Sequence, residues 1–187
     1  VFGADGAFSR IRHRMQRQSM FNYSQEFLNT GYKELNIPAN PDGTHKLDKN
    51  SFHIWPRGKY MLIALPNLDG SFTCTLFMPF EGENSFASLT DRKLVEAFFE
   101  KNLPDTIDVI PNLTEDFFAN PTSTLVTMKC FPWTYEDKVA LIGDASHAIV
   151  PFYGQGMNAG FEDISVLYEL MNQYGDDWKT IFSEYEK

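Results

Sequence analysis

The alternation of apolar and polar residues predicts a sheet in the middle of the chain. Three apolar runs follow one another closely, and each ends at a turn that contains Pro or Gly. Such spacing favours an antiparallel meander, in which side chains alternate between the two faces. The candidate stripes are Phe52 and Ile54, then Met61, Ile63 and Leu65, then either Phe72, Cys74 and Leu76 or Thr73, Thr75 and Phe77. Periodicity does not decide which stripe faces a ligand.

Three- and four-residue spacing of apolar side chains predicts three helices. The first has Thr90 as its N-cap, Asp91 in its first turn and Pro104 as its stop. The other two are defined by Phe161, Ile164, Leu167, Tyr168 and Met171, and by Trp178, Ile181, Phe182 and Tyr185. The remaining expected strands are Phe21–Pro38, Ile107–Pro111, Leu125–Phe131 and Val139–Ile142, while 113–118 is either a helical turn or a strand. These elements predict an α+β fold with an antiparallel or mixed sheet and flanking helices.

A candidate ligand site lies where the last of these strands gives way to a helix. The buried run 139–142 ends at Gly143-Asp144, and Gly154-Gln155-Gly156 opens the helix that follows. Free backbone amides at a helix N-terminus attract negative charge, and glycines let a ligand approach the backbone. Each feature alone is usually only a turn, but together they predict that Asp144 faces a glycine-lined helix start.

Composition excludes several classes of partner. The chain has 187 residues, 43% of them hydrophobic, and a formal net charge of −9, so neither nucleic acid nor an anionic membrane surface is an expected partner. No apolar run reaches spanning length and no export signal is recognisable, so we expect a cytoplasmic location. Cys74 and Cys130 are expected to be buried free thiols. The histidines lack ligand-like spacing, so no metal site is expected: His13, His45, His53 and His147.

The glycine-rich segment resembles the second flavin motif of the single-component FAD-dependent aromatic-ring hydroxylases. It shares the order Gly-Asp-Ala, His-x-x-x-Pro and Gly-Gln-Gly-Met-Asn over residues 143–158, followed by a helix that carries Glu162-Asp163. Asp5, Gly6, Ser9 and Arg12 match the Asp-Gly motif of the same family, in which the Asp lies near the FAD pyrophosphate. The resemblance implies FAD as cofactor and NADPH as co-substrate. It also implies these cofactor-binding residues: Asp5, Gly6, Arg12, Asp144, Gly154, Gln155, Gly156, Met157 and Asn158.

Within that family, the meander and the glycine-rich segment are most similar to members that act on L-kynurenine. The resemblance implies hydroxylation at ring carbon 3 through a flavin hydroperoxide, a step of tryptophan degradation that needs no catalytic side chain. The substrate pocket it implies consists of Phe52, Ile63, Leu65, Phe77, Pro151 and Phe152, although each could equally be ordinary core. Two alternatives remain open: an aromatic-ring hydroxylase for a phenolic acid, or an excised sheet module that binds neither flavin nor substrate tightly.

The chain is expected to be a fragment. It begins without Met, and no Gly-x-Gly-x-x-Gly fingerprint follows a strand. The family has that fingerprint upstream and a membrane-associating tail downstream. The resemblance divides the chain into 1–20 and 134–187, as parts of the FAD-binding domain, and 21–133, as the substrate-binding sheet domain. We expect this chain to be inactive by itself.

Overall fold

The computed structural model describes all residues, Val1–Lys187. The strands and α-helices, in chain order, are β1 (Phe2–Gly3), α1 (Arg10–Met15), β2 (Asn22–Ile37), β3 (His53–Arg57), β4 (Tyr60–Pro66), β5 (Phe72–Pro79), α2 (Arg92–Asn102), α3 (Leu113–Ala119), β6 (Ser123–Phe131), β7 (Thr134–Tyr135), β8 (Val139–Leu141), α4 (Asp144–His147), α5 (Gln155–Tyr174) and α6 (Trp178–Tyr185). The strands form two sheets, with orders β1-β8-β7 and β3-β4-β5-β2-β6. The predicted α+β class is confirmed.

The chain divides into two compact units. Unit 1 combines Val1–Leu28 with Leu125–Lys187, and unit 2 is Asn29–Thr124. Each boundary of unit 2 lies inside the segment predicted as the substrate domain. The assignment of flavin and substrate binding to separate domains stays a prediction.

The sheet of unit 2 is built on the predicted meander. Strands β3, β4 and β5 pair antiparallel, with Ile54 opposite Ile63 and Ile63 opposite Thr75. The stripe that packs on α2 and α3 contains Leu62, Ala64, Cys74, Leu76 and Met78, together with Val95, Phe99 and Phe117 from the helices. The alternative stripe, with Thr73, Thr75 and Phe77, therefore lies on the opposite face of the sheet.

The two ends of unit 2 lie side by side. The backbone of Gly31 in β2 approaches the start of β6 so closely that a Cβ there would lie 2.8 Å from the carbonyl oxygen of Ser123. It would also lie 2.6 Å from the ring of Phe80. Glycine is required at this position because any side chain would displace a neighbour.

The structure corrects two predictions for unit 2 and decides a third that the sequence left open. Asp91, and not Thr90, caps α2, because its carboxylate accepts a bond of 3.1 Å from the amide of Leu94. The strand predicted at Ile107–Pro111 is wrong, since the amides of Val109 and Ile110 both donate to the carbonyl of Thr106, at 3.2 and 3.1 Å. This turn leaves neither amide free for a sheet. The ambiguous segment 113–118 is helical, as α3.

The sheet of unit 1 joins the two distant segments of the chain. β1 pairs parallel to β8, with Phe2 opposite Ala140, and β7 pairs antiparallel to β8 on its other side. The pattern did not predict β7, which is only two residues long. Ala140 packs with α5 and α6 in a core that also contains Leu167, Ile181, Phe182 and Tyr185.

Helix α5 has two unlike faces. Leu167 is buried in the core, but the other residues that defined the predicted helix are exposed, as is Met157: Phe161, Ile164, Tyr168 and Met171. The periodicity therefore identified the helix correctly, while most of the apolar stripe lies on the outside of unit 1. None of the helices is both long and apolar enough to cross a membrane.

Candidate functional site

A cleft of about 580 Å³ in unit 1 lies between the end of β8 and the start of α5. Five of its lining residues are glycines: Gly6, Gly143, Gly154, Gly156 and Gly160. The other lining residues are Ala4, Ile142, Asp144, Ile149, Pro151, Met157, Phe161 and Ile164. A Cβ added at Gly6 or Gly154 would meet no atom within 4 Å, so the absent side chains leave open space and accessible backbone.

The start of α5 supplies hydrogen-bond donors to this cleft. Gly154 adopts the left-handed conformation at φ +65°, and no side chain caps the first turn. The first amides of a helix have no partner within it, and the helix dipole makes this end positive. The cleft is therefore suited to a group that accepts hydrogen bonds or carries negative charge.

Asp144 supplies an acceptor on the other side of the cleft. Its carboxylate makes no hydrogen bond within the protein, and one of its oxygens lies 3.8 Å from the position of a Cβ at Gly156. Asp144 begins the short helix α4, directly after the turn at Gly143. The structure thus brings the carboxylate beside the glycine-opened helix, where a ligand hydroxyl or N–H could donate to it.

Buried Asp163 of α5 holds this turn in place. Its carboxylate accepts hydrogen bonds from the amide of Gly143, at 2.6 Å, and from Nε2 of His147, at 2.9 Å. Gly143 directly precedes α4 and His147 is its last residue, so one carboxylate fixes both ends of the segment that carries Asp144. Gly143 needs such support because its φ of +59° is a conformation that few residues adopt.

Asp5 uses its carboxylate locally. It accepts hydrogen bonds from the Ser9 hydroxyl and from the amides of Arg10, at 2.8 Å, and Ile11, at 3.3 Å. Burial alone would raise the pKa of the Asp5 carboxyl, but these hydrogen bonds outweigh it and hold the pKa below its ordinary value. Asp5 therefore orders the loop that carries Gly6 into the cleft.

Arg12 connects the two predicted cofactor motifs from outside the cleft. Its side chain is buried and donates to the carbonyls of Ala7 and Ala145, the latter at 2.9 Å. Its guanidinium also lies over the ring of Tyr23, with 5.1 Å from Cζ to the ring centroid. Arg12 therefore connects the loop after Gly6 to the segment after Asp144, and it does not line the cleft.

The predicted cofactor residues fall into two groups. Those that line the cleft are Gly6, Asp144, Gly154, Gly156 and Met157, together with Pro151 from the predicted substrate set. Outside the lining are the predicted cofactor residues Asp5, Arg12, Gln155 and Asn158, and also Phe152 from the predicted substrate set. Nδ2 of Asn158 donates to Oε1 of Gln155, at 3.1 Å, on the exposed first turn of α5.

The predicted cofactor residues did not include Gly143, Gly160 or Asp163, although Gly143 and Asp163 belong to the motif that carries the resemblance. The signal for Gly160 was its spacing, because it lies four residues after Gly156 and hence on the same helix face. A Cβ at Gly143 would lie 3.7 Å from the Cα of Gly160, so the strand end and the helix approach closely there. The signals for Asp163 were the Glu-Asp pair of that motif and its position four residues before Leu167, on the packed side of the helix.

Three of the four predicted substrate residues of unit 2 share one face of the sheet. Ile63, Leu65 and Phe77 lie opposite the stripe that packs on α2 and α3, whereas Phe52 directly precedes β3 and belongs to no strand. Phe52 and Leu65 are 37% and 44% exposed, whereas Ile63 and Phe77 are buried. Phe77 also contacts the ring of Tyr32, with 6.3 Å between centroids. Their role in substrate binding stays a prediction.

Comparison with known proteins identifies the family. The FAD binding domain family matches residues 1–176, and the chain belongs to that family. It is 87% identical over all 187 residues to the kynurenine 3-monooxygenase of Flavobacterium psychrophilum, and 56% identical over 176 residues to that of Dictyostelium discoideum. The matches cover 100% and 94% of this chain, but only 42% and 38% of those relatives. The chain thus spans less than half the length of these curated relatives.

Solved structures agree with this fold. Klebsiella pneumoniae HpxO, in complex with FAD and uric acid, matches 99% of the chain with a TM-score of 0.74 and 20% identity, over 45% of its own length. The tetrameric form of 2-methyl-3-hydroxypyridine-5-carboxylic acid oxygenase matches 99% with a TM-score of 0.72 and 20% identity, over 48% of its length. At this identity the likeness concerns the fold alone.

The glycine cleft fits the cofactor of the family. FAD combines a flat ring system, a polyhydroxylated chain and a charged pyrophosphate, so it needs open backbone amides and hydrogen-bond acceptors. The uncapped first turn of α5 provides the amides, and the unpartnered carboxylate of Asp144 provides an acceptor. The open space at Gly6 and Gly154 admits a ligand against the backbone.

Proposed function

We propose that the chain is part of an FAD-dependent, NADPH-consuming monooxygenase that hydroxylates L-kynurenine at ring carbon 3. The observation that carries the proposal is the 87% identity, over every residue of the chain, to a kynurenine 3-monooxygenase. Substrate pockets seldom diverge at such identity, and both the meander and the glycine cleft lie within the matched region. When bound, FAD supplies the transfer of electrons from NADPH to dioxygen and the oxygenation of the ring.

The residues of the glycine cleft would bind and orient the flavin. Asp144 would accept hydrogen bonds from hydroxyl groups of the cofactor, and the amides at Gly156, Met157 and Asn158 would face the edge of the flavin ring that gains negative charge on reduction. Arg12 and Asp163 would act indirectly. They would stabilise the loop after Gly6 and the turn at Gly143, which form walls of the cleft.

The apolar sheet face of unit 2 would contact the aromatic ring of the substrate. Ile63, Leu65 and Phe77 lie on one face of the sheet and Phe52 directly precedes β3, so these side chains could form an apolar wall. Pro151 and Phe152 belong to a single 3₁₀ turn directly before α5, next to the amides proposed for the flavin. Such a wall would exclude water, which favours oxygen transfer to the ring over release of hydrogen peroxide.

The test is NADPH oxidation by the complete protein with and without L-kynurenine, with products identified by mass. We expect L-kynurenine to accelerate oxidation and a product heavier by one oxygen atom to form. Oxidation that does not respond to L-kynurenine, or that yields a hydroxylated phenolic acid instead, would refute the substrate. The 187-residue chain serves as control, and we expect it to be inactive. The same proposal includes a membrane-associating tail in the complete protein, which sedimentation with membranes would test.

A further inference from the structure

Glu34 is the only charged residue on the open face of the unit 2 sheet, which is the face opposite the stripe packed on α2 and α3. This holds for β3, β4, β5 and residues 30–37 of β2, which pair with β5. Glu34 lies opposite Thr75, and Thr75 lies opposite Ile63 on its other side, so the three form one row across the face. Phe77 follows two residues after Thr75 on the same face. The row thus runs from the apolar wall proposed for the substrate ring to a single carboxylate.

The carboxylate of Glu34 has no partner within the chain. Glu34 is exposed, it forms no ion pair, and neither carboxylate oxygen accepts a hydrogen bond. Lys33 cannot neutralise it, because the side chain of Lys33 is buried on the other face. There its Nζ donates to the carbonyl of Asn120 at 2.6 Å and lies 4.9 Å from the centroid of the Phe117 ring. The acceptor positions of Glu34 are therefore available to a ligand on the open face.

The strand that carries Glu34 is held in place by its neighbours. Nδ2 of Asn120 donates to the backbone carbonyl of Glu34 at 2.8 Å, and the carbonyl of Asn120 accepts the bond from Lys33. On the open face, the ring of Tyr32 contacts the ring of Phe77, with 6.3 Å between centroids. These contacts fix the backbone of Glu34 relative to the apolar wall and leave its carboxylate unused. A group that is already positioned binds a ligand at a smaller cost in ordering.

We propose that Glu34 accepts a hydrogen bond from the ring amino group of the substrate and thereby determines which aromatic ring is bound. The inference rests on the proposed function, which supplies L-kynurenine. The ring carbon that carries its amino group lies between the acyl-bearing carbon and carbon 3. One N–H can bond to the ketone oxygen within the molecule, while the other points along the ring edge towards carbon 3. A carboxylate is a strong acceptor for that second N–H, and it would hold the edge that is hydroxylated.

The same charge discriminates against other aromatic rings. A phenolate or a benzoate on this wall would be repelled by Glu34, and a ring without an amino group would bring no donor to it. Glu34 is thus a specificity-determining residue for an aniline ring, and it takes no proton in the reaction.

The test is calorimetric titration of the complete protein with L-kynurenine and with β-benzoyl-L-alanine, which is the same molecule without the ring amino group. Glu34→Gln should raise the Kd of L-kynurenine by about tenfold, because a charge-assisted hydrogen bond becomes a neutral one. It should leave the Kd of β-benzoyl-L-alanine unchanged. Glu34→Asp keeps the charge on a shorter side chain and should give an intermediate Kd for L-kynurenine. Glu96→Gln is the matched control, since Glu96 is an exposed residue of α2, on the other side of the sheet.

Bound flavin and the circular dichroism spectrum report whether each variant is folded. An unchanged Kd of L-kynurenine in folded Glu34→Gln would overturn the inference. So would an equal loss of affinity for the two compounds, because Glu34 would then act on the amino-acid part that they share. Failure of the proposed function appears elsewhere: the unaltered protein itself would not hydroxylate L-kynurenine.

Discussion

Replacing Asp163 by alanine tests whether one buried carboxylate holds the cofactor turn. The substitution leaves the amide of Gly143 without its acceptor at 2.6 Å, and Nε2 of His147 without its acceptor at 2.9 Å. A hydrogen bond to a charged group contributes about 1.5–3 kcal/mol, and an unpaired buried donor costs a similar amount. The side chain of His147 is 20% exposed and can turn to water, so only the Gly143 bond is counted in full.

We therefore expect Asp163→Ala to lower the free energy of unfolding by about 2–3 kcal/mol. FAD should also bind more weakly, because Gly143 and Asp144 lose their fixed conformation. Asp163→Asn keeps one carbonyl oxygen as an acceptor, so its effect should be smaller, about 1 kcal/mol. The measurements are urea unfolding of the complete protein, followed by circular dichroism, and flavin-fluorescence titration for the affinity.

Glu162→Ala is the matched control. Glu162 is the preceding residue of the same helix, it is exposed, and its carboxylate makes no hydrogen bond. This change removes the same charge from the same helix and should alter neither unfolding nor FAD affinity by a measurable amount. If Asp163→Ala unfolds at the same urea concentration as Glu162→Ala and retains flavin equally, the assigned role of Asp163 is wrong.

Four further outcomes are expected. Asp144→Ala should weaken FAD binding in a fluorescence titration by about tenfold, because a polar partner is lost, and an unchanged affinity would remove Asp144 from the site. Gly156→Val should reduce bound flavin with little change in thermal midpoint, since its side chain would project towards Asp144 in the cleft; full flavin occupancy would contradict this. Phe152→Ala should uncouple NADPH oxidation from product formation, and full coupling would exclude Phe152 from the pocket. Burial raises the pKa of Cys74 to about 12 and of Cys130 to about 11, so iodoacetamide at pH 8 should label neither thiol until urea unfolds the protein; labelling of the folded protein would refute their burial.

Elements with a strong local signal could be predicted from the sequence. The meander follows from alternating residues between turns, and α5 follows from the apolar spacing of Phe161 to Met171, between the glycines at 154 and 175. The neighbourhood of Asp144 and Gly156 was also predictable, because a strand end and the next helix start are close in the chain. Their flavin role, in contrast, came from resemblance and not from spacing.

The remaining features depend on contacts between distant residues. β7 is two residues long and exists because it pairs with β8, so no periodicity could reveal it. Arg12 has the appearance of one more exposed basic residue in its segment, yet its guanidinium reaches the carbonyl of Ala145. The sequence also could not show that the apolar stripe of α5 is exposed, because apolar spacing defines a helix face but does not show what covers that face.

The adjacent ends of unit 2 have a consequence for the order in which the protein assembles during synthesis. β1 leaves the ribosome before β8 and cannot pair until β8 has been made, and closing the intervening loop would cost on the order of 4 kcal/mol in chain entropy. Unit 2 is continuous in sequence, so it can fold before β8 has been made. Once folded, it brings Gly31 next to Ser123 and so shortens the effective loop. Unit 2 lies between the two segments of unit 1 in the sequence, so its folding shortens the stretch of chain that separates β1 from β8. A mutation that destabilises unit 2 would therefore slow formation of the glycine cleft, although no residue of unit 2 lines that cleft.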